Sequence, residues 1–171
     1  QLITSLDQAT TSLLLEALDG PDESRVLAAF DLLALAEHVD VRVPATTLLG
    51  HPSGRVQLRA LRELSDAGHR EAMPDVEPLV ASDDPAIQSE AVHFVCAYSP
   101  IDPKRRMEEF MRDPDPSVRA AAMACITRHA TEEHLSMVRG MLASVVDNRS
   151  ASGSEARIAL ARAFRAIDTP D

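Results

Sequence analysis

Several short stretches of this chain hold the residue types from which catalytic or metal sites are made. Residues 129–134 place His129, Glu132, Glu133 and His134 close together, as a zinc centre would. A zinc helix of the H-x-x-E-H kind needs one residue fewer between its histidines, and Thr131 marks a helix start inside the run. Thr131 is better read as a cap, with the two glutamates favouring the positive end of the helix that follows. No metal is expected. Residues 104–109 pair Lys104 with Glu108 and Arg105 with Glu109 at i, i+4, the pattern of a solvated helix face rather than an anion site. Arg55, Arg59 and Arg62 stand at i, i+4, i+7, so on a helix all three guanidinium groups share one side. They could receive a carboxylate or phosphate in bidentate fashion, or pair with nearby acids and keep the surface soluble. Cys96 and Cys125 lack CxxC spacing and lie among apolar residues, which predicts reduced, buried packing residues and a reducing compartment.

The composition limits what such groups can serve. The chain has 171 residues, enough for one domain with a core of its own. It is 45% hydrophobic but 3% aromatic with no tryptophan, so the core must be Leu, Ala, Val, Ile and Met, which favours helices. The net charge is −10. Residues 1–100 carry sixteen acids against six basic residues, while residues 101–171 carry eleven of each. Nucleic acid and anionic lipid are repelled over most of such a surface. No apolar run approaches the ~20 residues of a membrane span. The first residue is Gln1 rather than Met, which leads us to expect a piece of a longer polypeptide or a processed end.

The elements that would position these residues repeat. Ala29, Ala60, Ala91 and Ala122 are spaced by 31 residues. One position on are Phe30, Leu61, Val92 and Met123; four on are Leu33, Leu64, Val95 and Ile126; four before are Arg25, Val56, Ile87 and Val118. Spacing of this kind is one stripe of an α-helix, interrupted only at Arg25. An earlier helix keeps the same period through Leu14, Ala45, Val76, Met107 and Val138, with apolar partners three and four residues later. Between the two runs lie turns rich in Gly, Pro, Asp and Ser, residues suited to turns and helix starts. The fifth unit slips by six residues through "DNRSASG", an enlarged loop in a terminal repeat.

A helix pair recurring at fixed period predicts an all-α solenoid, since no unit buries its apolar face alone. We expect a right-handed α-solenoid of about five helix pairs, ten helices, forming one domain over 1–171 with units at 1–40, 41–70, 71–99, 100–130 and 131–171. The repeated alanine is expected where helices cross closely. Tetratricopeptide and ankyrin signatures are absent.

The phrase D-P-x-V-R-x-x-A, complete from Asp115 to Ala122 and nearly so at 83–91, resembles the HEAT repeat family. The resemblance covers nearly the whole chain, although the unit is shorter than the usual ~40 or more residues. It implies a fold more than a function, because HEAT-like proteins include scaffolds, bilin lyases and DNA-base glycosylases. The N-terminal run from "LLLEALDGPDES" to "LRALREL" is also similar to HEAT extensions of bacterial membrane proteins of the ATP/ADP translocase, major-facilitator type. That similarity implies a cytoplasmic module tethered to the inner face of a membrane by residues outside this chain, with no membrane insertion of its own.

In HEAT solenoids the outer side of the second helices lines a concave surface. In this register it reads Ser24, Ala28, Asp31 and Leu35; Arg55, Arg59, Arg62 and Asp66; Ala86, Glu90, His93 and Ala97; Ser117, Ala121, Ala124 and Arg128. The candidate binding residues are Arg55, Arg59, Arg62, Glu90, His93 and Arg128. Arg119, at the family's arginine position, is expected to buttress the turn. We expect a non-catalytic interaction module without cofactor, its partner a protein or an adjoining domain, and no nucleic acid. The alternatives are a bilin lyase, which needs a polar catalytic pocket, and a DNA-base glycosylase, which needs a basic, aromatic groove that a −10 chain without tryptophan does not offer.

Overall fold

The structure, a computed structural model, describes residues 7–36, 38–98 and 109–128, and of residues 126–128 the backbone alone. The predicted fifth unit, the 129–134 run, the Lys104 to Arg106 stretch and the Arg128 side chain lie outside the described residues. The described residues form helices and turns and contain no strand, an all-α architecture. It forms two compact units, Gln1–Asp75 and Val76–Asp171.

The first unit is built from two helix pairs. Helices α1 (Gln8–Leu18) and α2 (Glu23–Ala34) form one, α3 (Arg42–Leu48) and α4 (Gly54–Asp66) the other. Acidic and hydroxyl residues start three of them as the turn composition predicts. The Thr10 amide donates to the Asp7 carboxylate at 2.7 Å and the Arg25 amide to Asp22 at 2.9 Å. Ser53 takes the amide of Val56. Gly68, at φ 62°, ends α4 in the left-handed region, and His69 N–H then reaches back to the Leu64 carbonyl at 3.0 Å. Within each pair the helices pack together, and α2 also packs on α4 and α1 on α3. Val26, Phe30 and Leu33 of α2 and Val56, Leu61 and Leu64 of α4 are all buried away from water, the apolar core of these helices.

The second unit departs from the strict pattern at its start. An α-helix was expected through Val76, Leu79 and Val80; instead a four-residue helix α5 (Met73–Val76), which straddles the unit boundary, runs into a 3-10 turn at Glu77–Ala81. Proline explains the break. Pro78 has no amide for an α-helical bond and its ring would meet the carbonyl of Pro74, four residues earlier. Val76 and Val80 are nonetheless fully buried, so the apolar pattern is met by a different backbone. Helices α6 (Pro85–Tyr98) and α7 (Pro116–Arg128) then pack side by side. Both begin on proline, where a missing amide costs nothing. Asp115 accepts the Ser117 amide at 2.7 Å and also its hydroxyl. Arg119 donates to the carbonyls of Asp113 and Pro114 at 2.7 and 2.8 Å, closing the D-P-x-V-R turn.

All four period-marking alanines are buried, Ala29 at 4% and Ala60, Ala91 and Ala122 at 0% exposure. The cysteines are buried too but are not separate thiols: Cys96 of α6 and Cys125 of α7 form a disulfide. Expectation is corrected here by packing, because the two helices bring these Cα atoms to 5.5 Å, within bonding range.

Candidate functional site

The arginine stripe sits on α4 and faces α2. Its helix starts at Ser53, so Arg55 falls in the first turn and Arg59 and Arg62 follow on the same side. Arg55 donates to Glu23, at the start of α2, while its own side chain stays 76% exposed. Arg59 is more deeply placed. Its Nε donates to Asp31 of α2 at 2.8 Å and one terminal nitrogen to Glu63 at 2.8 Å, while the guanidinium lies 5.1 Å from the centre of the Phe30 ring. Burial alone would lower the Arg59 pKa; the bonds to Glu63 and Asp31 outweigh it and raise it. Arg62 is half-buried beside them. Of the two sequence readings of this stripe, the geometry of Arg55 and Arg59 follows the one in which neighbouring acids take the guanidinium groups.

A second polar cluster, absent from the sequence reading, ties the two turns of the first unit together. The Ser53 hydroxyl donates to Glu23 at 2.7 Å and the Ser53 amide to His51 Nδ1 at 3.0 Å. With Nδ1 accepting, His51 Nε2 carries the proton and points at the Gly20 carbonyl, 3.4 Å away. Gln57 in turn donates to the His51 carbonyl at 2.8 Å. The Ser53 bond, foremost, and the Arg55 charge hold the Glu23 carboxyl below its ordinary range. One signal could have found this cluster: Gly20 and His51 are one period of 31 residues apart. Both imidazole nitrogens serve the backbone, so His51 is a structural residue here rather than a base awaiting a substrate.

The other candidates do not join these. Glu90 and His93 are half-buried on α6, in the second unit. The expected outer stripe fails on α7, where Ser117, Ala121 and Ala124 are 8%, 3% and 3% exposed. Apart from Ser117 and Arg119, the described side chains of that helix are small or apolar, and those from Ala120 to Cys125 are buried rather than presented to solvent. Among the described residues, no three His, Cys, Asp or Glu side chains gather as a metal site would require. In the Glu23, His51 and Ser53 cluster the Ser53 hydroxyl donates to the carboxylate, and His51 receives the Ser53 amide rather than its hydroxyl, so the imidazole is not set to activate that oxygen. No protein-family model and no curated protein matches this chain. Among solved structures, the crystal structure of an engineered protein is similar at 19% identity and a TM-score of 0.49, over 94% of this chain and 80% of that one. No described helix is long and apolar enough to cross a membrane.

The strongest electrostatic effect in the first unit lies just ahead of α3. Arg42 donates to Asp40 through Nε and a terminal nitrogen at 2.8 and 2.6 Å, and its amide adds a third bond at 3.0 Å. These bonds, the side-chain ones first, lower the Asp40 pKa to about 2. A depressed carboxyl contributes stability above its unfolded value near 3.8 and loses it as pH falls toward about 2. In Arg42→Ala the side-chain bonds are lost but the amide bond to Asp40 remains, so the carboxyl is expected to rise from about 2 toward 3.8 while staying below it, as followed by carboxyl carbon NMR, and the pH dependence of unfolding between those values should flatten.

Proposed function

We propose that this chain is a non-catalytic, HEAT-like interaction module. The observation that carries the reading is the stacking inside the first unit, where equivalent turns bond across one period and α2 lies on α4 as α1 lies on α3. Stacked pairs of this kind leave a row of helix surfaces outward, which is how solenoids offer binding area. The first pair exposes more apolar surface than folding alone requires: Leu13, Leu32 and Leu35 are 65%, 45% and 71% exposed. On this reading the full chain is a right-handed row of about five pairs, and the partner is a protein or an adjoining domain. Arg55 and Arg59 then organise the surface more than they receive a free anion.

The tethered form of this proposal makes the module an appendage of a translocase-like transporter at the cytoplasmic face. The Cys96–Cys125 bond weighs against a permanently bonded cytoplasmic form, because reducing compartments keep thiols apart unless the pair is reversible. Two binding measurements and one look at the gene test the proposal. The purified chain is expected to pass through immobilised DNA at low salt and to leave the visible spectrum of an added linear tetrapyrrole unchanged. Retention would replace the module with the glycosylase alternative, and a spectral shift with the lyase. About a dozen apolar stretches of ~20 residues encoded upstream would support the transporter tether, and a polar upstream region would remove that tether.

A further inference from the structure

We propose that Cys96 and Cys125 form a redox latch on the second unit, clamping α7 to α6 when bonded and releasing it when reduced. The bond joins neighbouring helices and closes a loop with a sequence separation of 29. Tying two helices through a loop of that length removes much of the freedom they would gain on parting.

Helix α7 depends on this tie more than its counterparts do. Its described buried face is Val118 and Met123 among Ala120, Ala121, Ala122 and Ala124. Helix α2, by contrast, buries Val26, Phe30 and Leu33, and α4 buries Val56, Leu61 and Leu64. Apolar stabilisation scales with the area removed from water, so a helix that buries alanines is held less firmly by packing. The cross-link is also specific to this place. Shifted back by two periods, the bonded positions fall on Ala34 of α2 and Glu63 of α4, which cannot form it. The first unit joins its equivalent helices, α2 and α4, with the Arg55–Glu23 and Arg59–Asp31 ion pairs instead, and a change of redox state leaves those untouched.

Opening the latch is thiol–disulfide exchange with a low-molecular-weight thiol. One thiolate attacks a cysteine sulfur and forms a mixed disulfide, and a second thiol displaces it. The products are two protein thiols and one small-molecule disulfide, with two electrons and two protons delivered to the protein. Closing is the reverse reaction, with the small-molecule disulfide as oxidant. Cys96 and Cys125 are 7% and 3% exposed, so exchange proceeds through local opening of the α6–α7 contact rather than on the intact surface.

Hydrogen exchange on the whole chain, read by mass spectrometry in oxidised and reduced glutathione, tests the latch without any substitution. Intact mass first establishes that oxidation removes two hydrogens; failure to lose them overturns the proposal. Reduction is expected to speed exchange in peptides covering 85–98 and 116–125 by roughly two orders of magnitude, with peptides from 23–34 and 54–66 unchanged. Equal exchange in both redox states overturns the latch, and so does acceleration spread evenly over both units. The Cys96→Ser variant in oxidising buffer should match the reduced parent. A variant that stays protected there would assign the holding to packing and overturn the proposal.

Discussion

Phe30→Ala lowers the unfolding free energy by about 3–5 kcal/mol, read as a fall in the urea midpoint with the slope unchanged. Phe30 is 1% exposed and supplies the largest side chain of the α2 core. Its removal leaves a cavity between α2 and α4 that Ala29 and Ala60, already packed, are too small to fill. The ring has a second task, because the Arg59 guanidinium rests on its face while bonded to Asp31 and Glu63. Phe30→Leu separates the two contributions. It keeps most of the apolar volume and loses only the ring contact, expected at about 0.5–1 kcal/mol for a partly exposed arginine. If Phe30→Leu and Phe30→Ala proved equally damaging, the ring–guanidinium contact rather than core volume would dominate. If both were harmless, the first unit would not be organised around α2 and α4 at all.

Ala60→Leu tests the repeat itself. Ala60 is fully buried at the centre of α4, and its equivalents Ala29, Ala91 and Ala122 are buried in the same register. Three added carbons have no room between packed helices, so the substitution is expected to cost about 1–3 kcal/mol through shifted backbones and poor rotamers. Ala28→Leu is the control: Ala28 is exposed on α2, next to buried Ala29, and leucine there should change stability by less than about 0.5 kcal/mol. Ala91→Leu should repeat the loss in the second unit. A leucine tolerated at both 60 and 91 would mean that helix approach, the reason given for the alanine, is not what keeps that residue small.

The turns show how local chemistry and packing divide the work. Asp7, Asp22, Ser53 and Asp115 cap the helices that follow them, as expected of their types and places. Arg119 closes its turn through carbonyls only six and five positions before it, a contact set by local geometry. At Pro74 and Pro78 two sequence signals conflict. The apolar period called for a continuous α-helix, the prolines forbade one, and the chain satisfies both by burying Val76 and Val80 from an irregular backbone.

From the sequence alone, the period of 31, the helical class and the burial of its four alanines could be read. Each depends on side chains within a few residues of one another on a single helix, where spacing fixes direction. The pairing of Arg55 with Glu23, of Arg59 with Asp31 and of Cys96 with Cys125 could not be read that way. Those pairs lie on different helices or turns, and which of them meet depends on how far each helix is rotated and shifted against its neighbour. The cysteines make the point most sharply: read as separate buried thiols, they stand at a separation of 29, two short of the period, which is the offset at which adjoining sides of two packed helices touch.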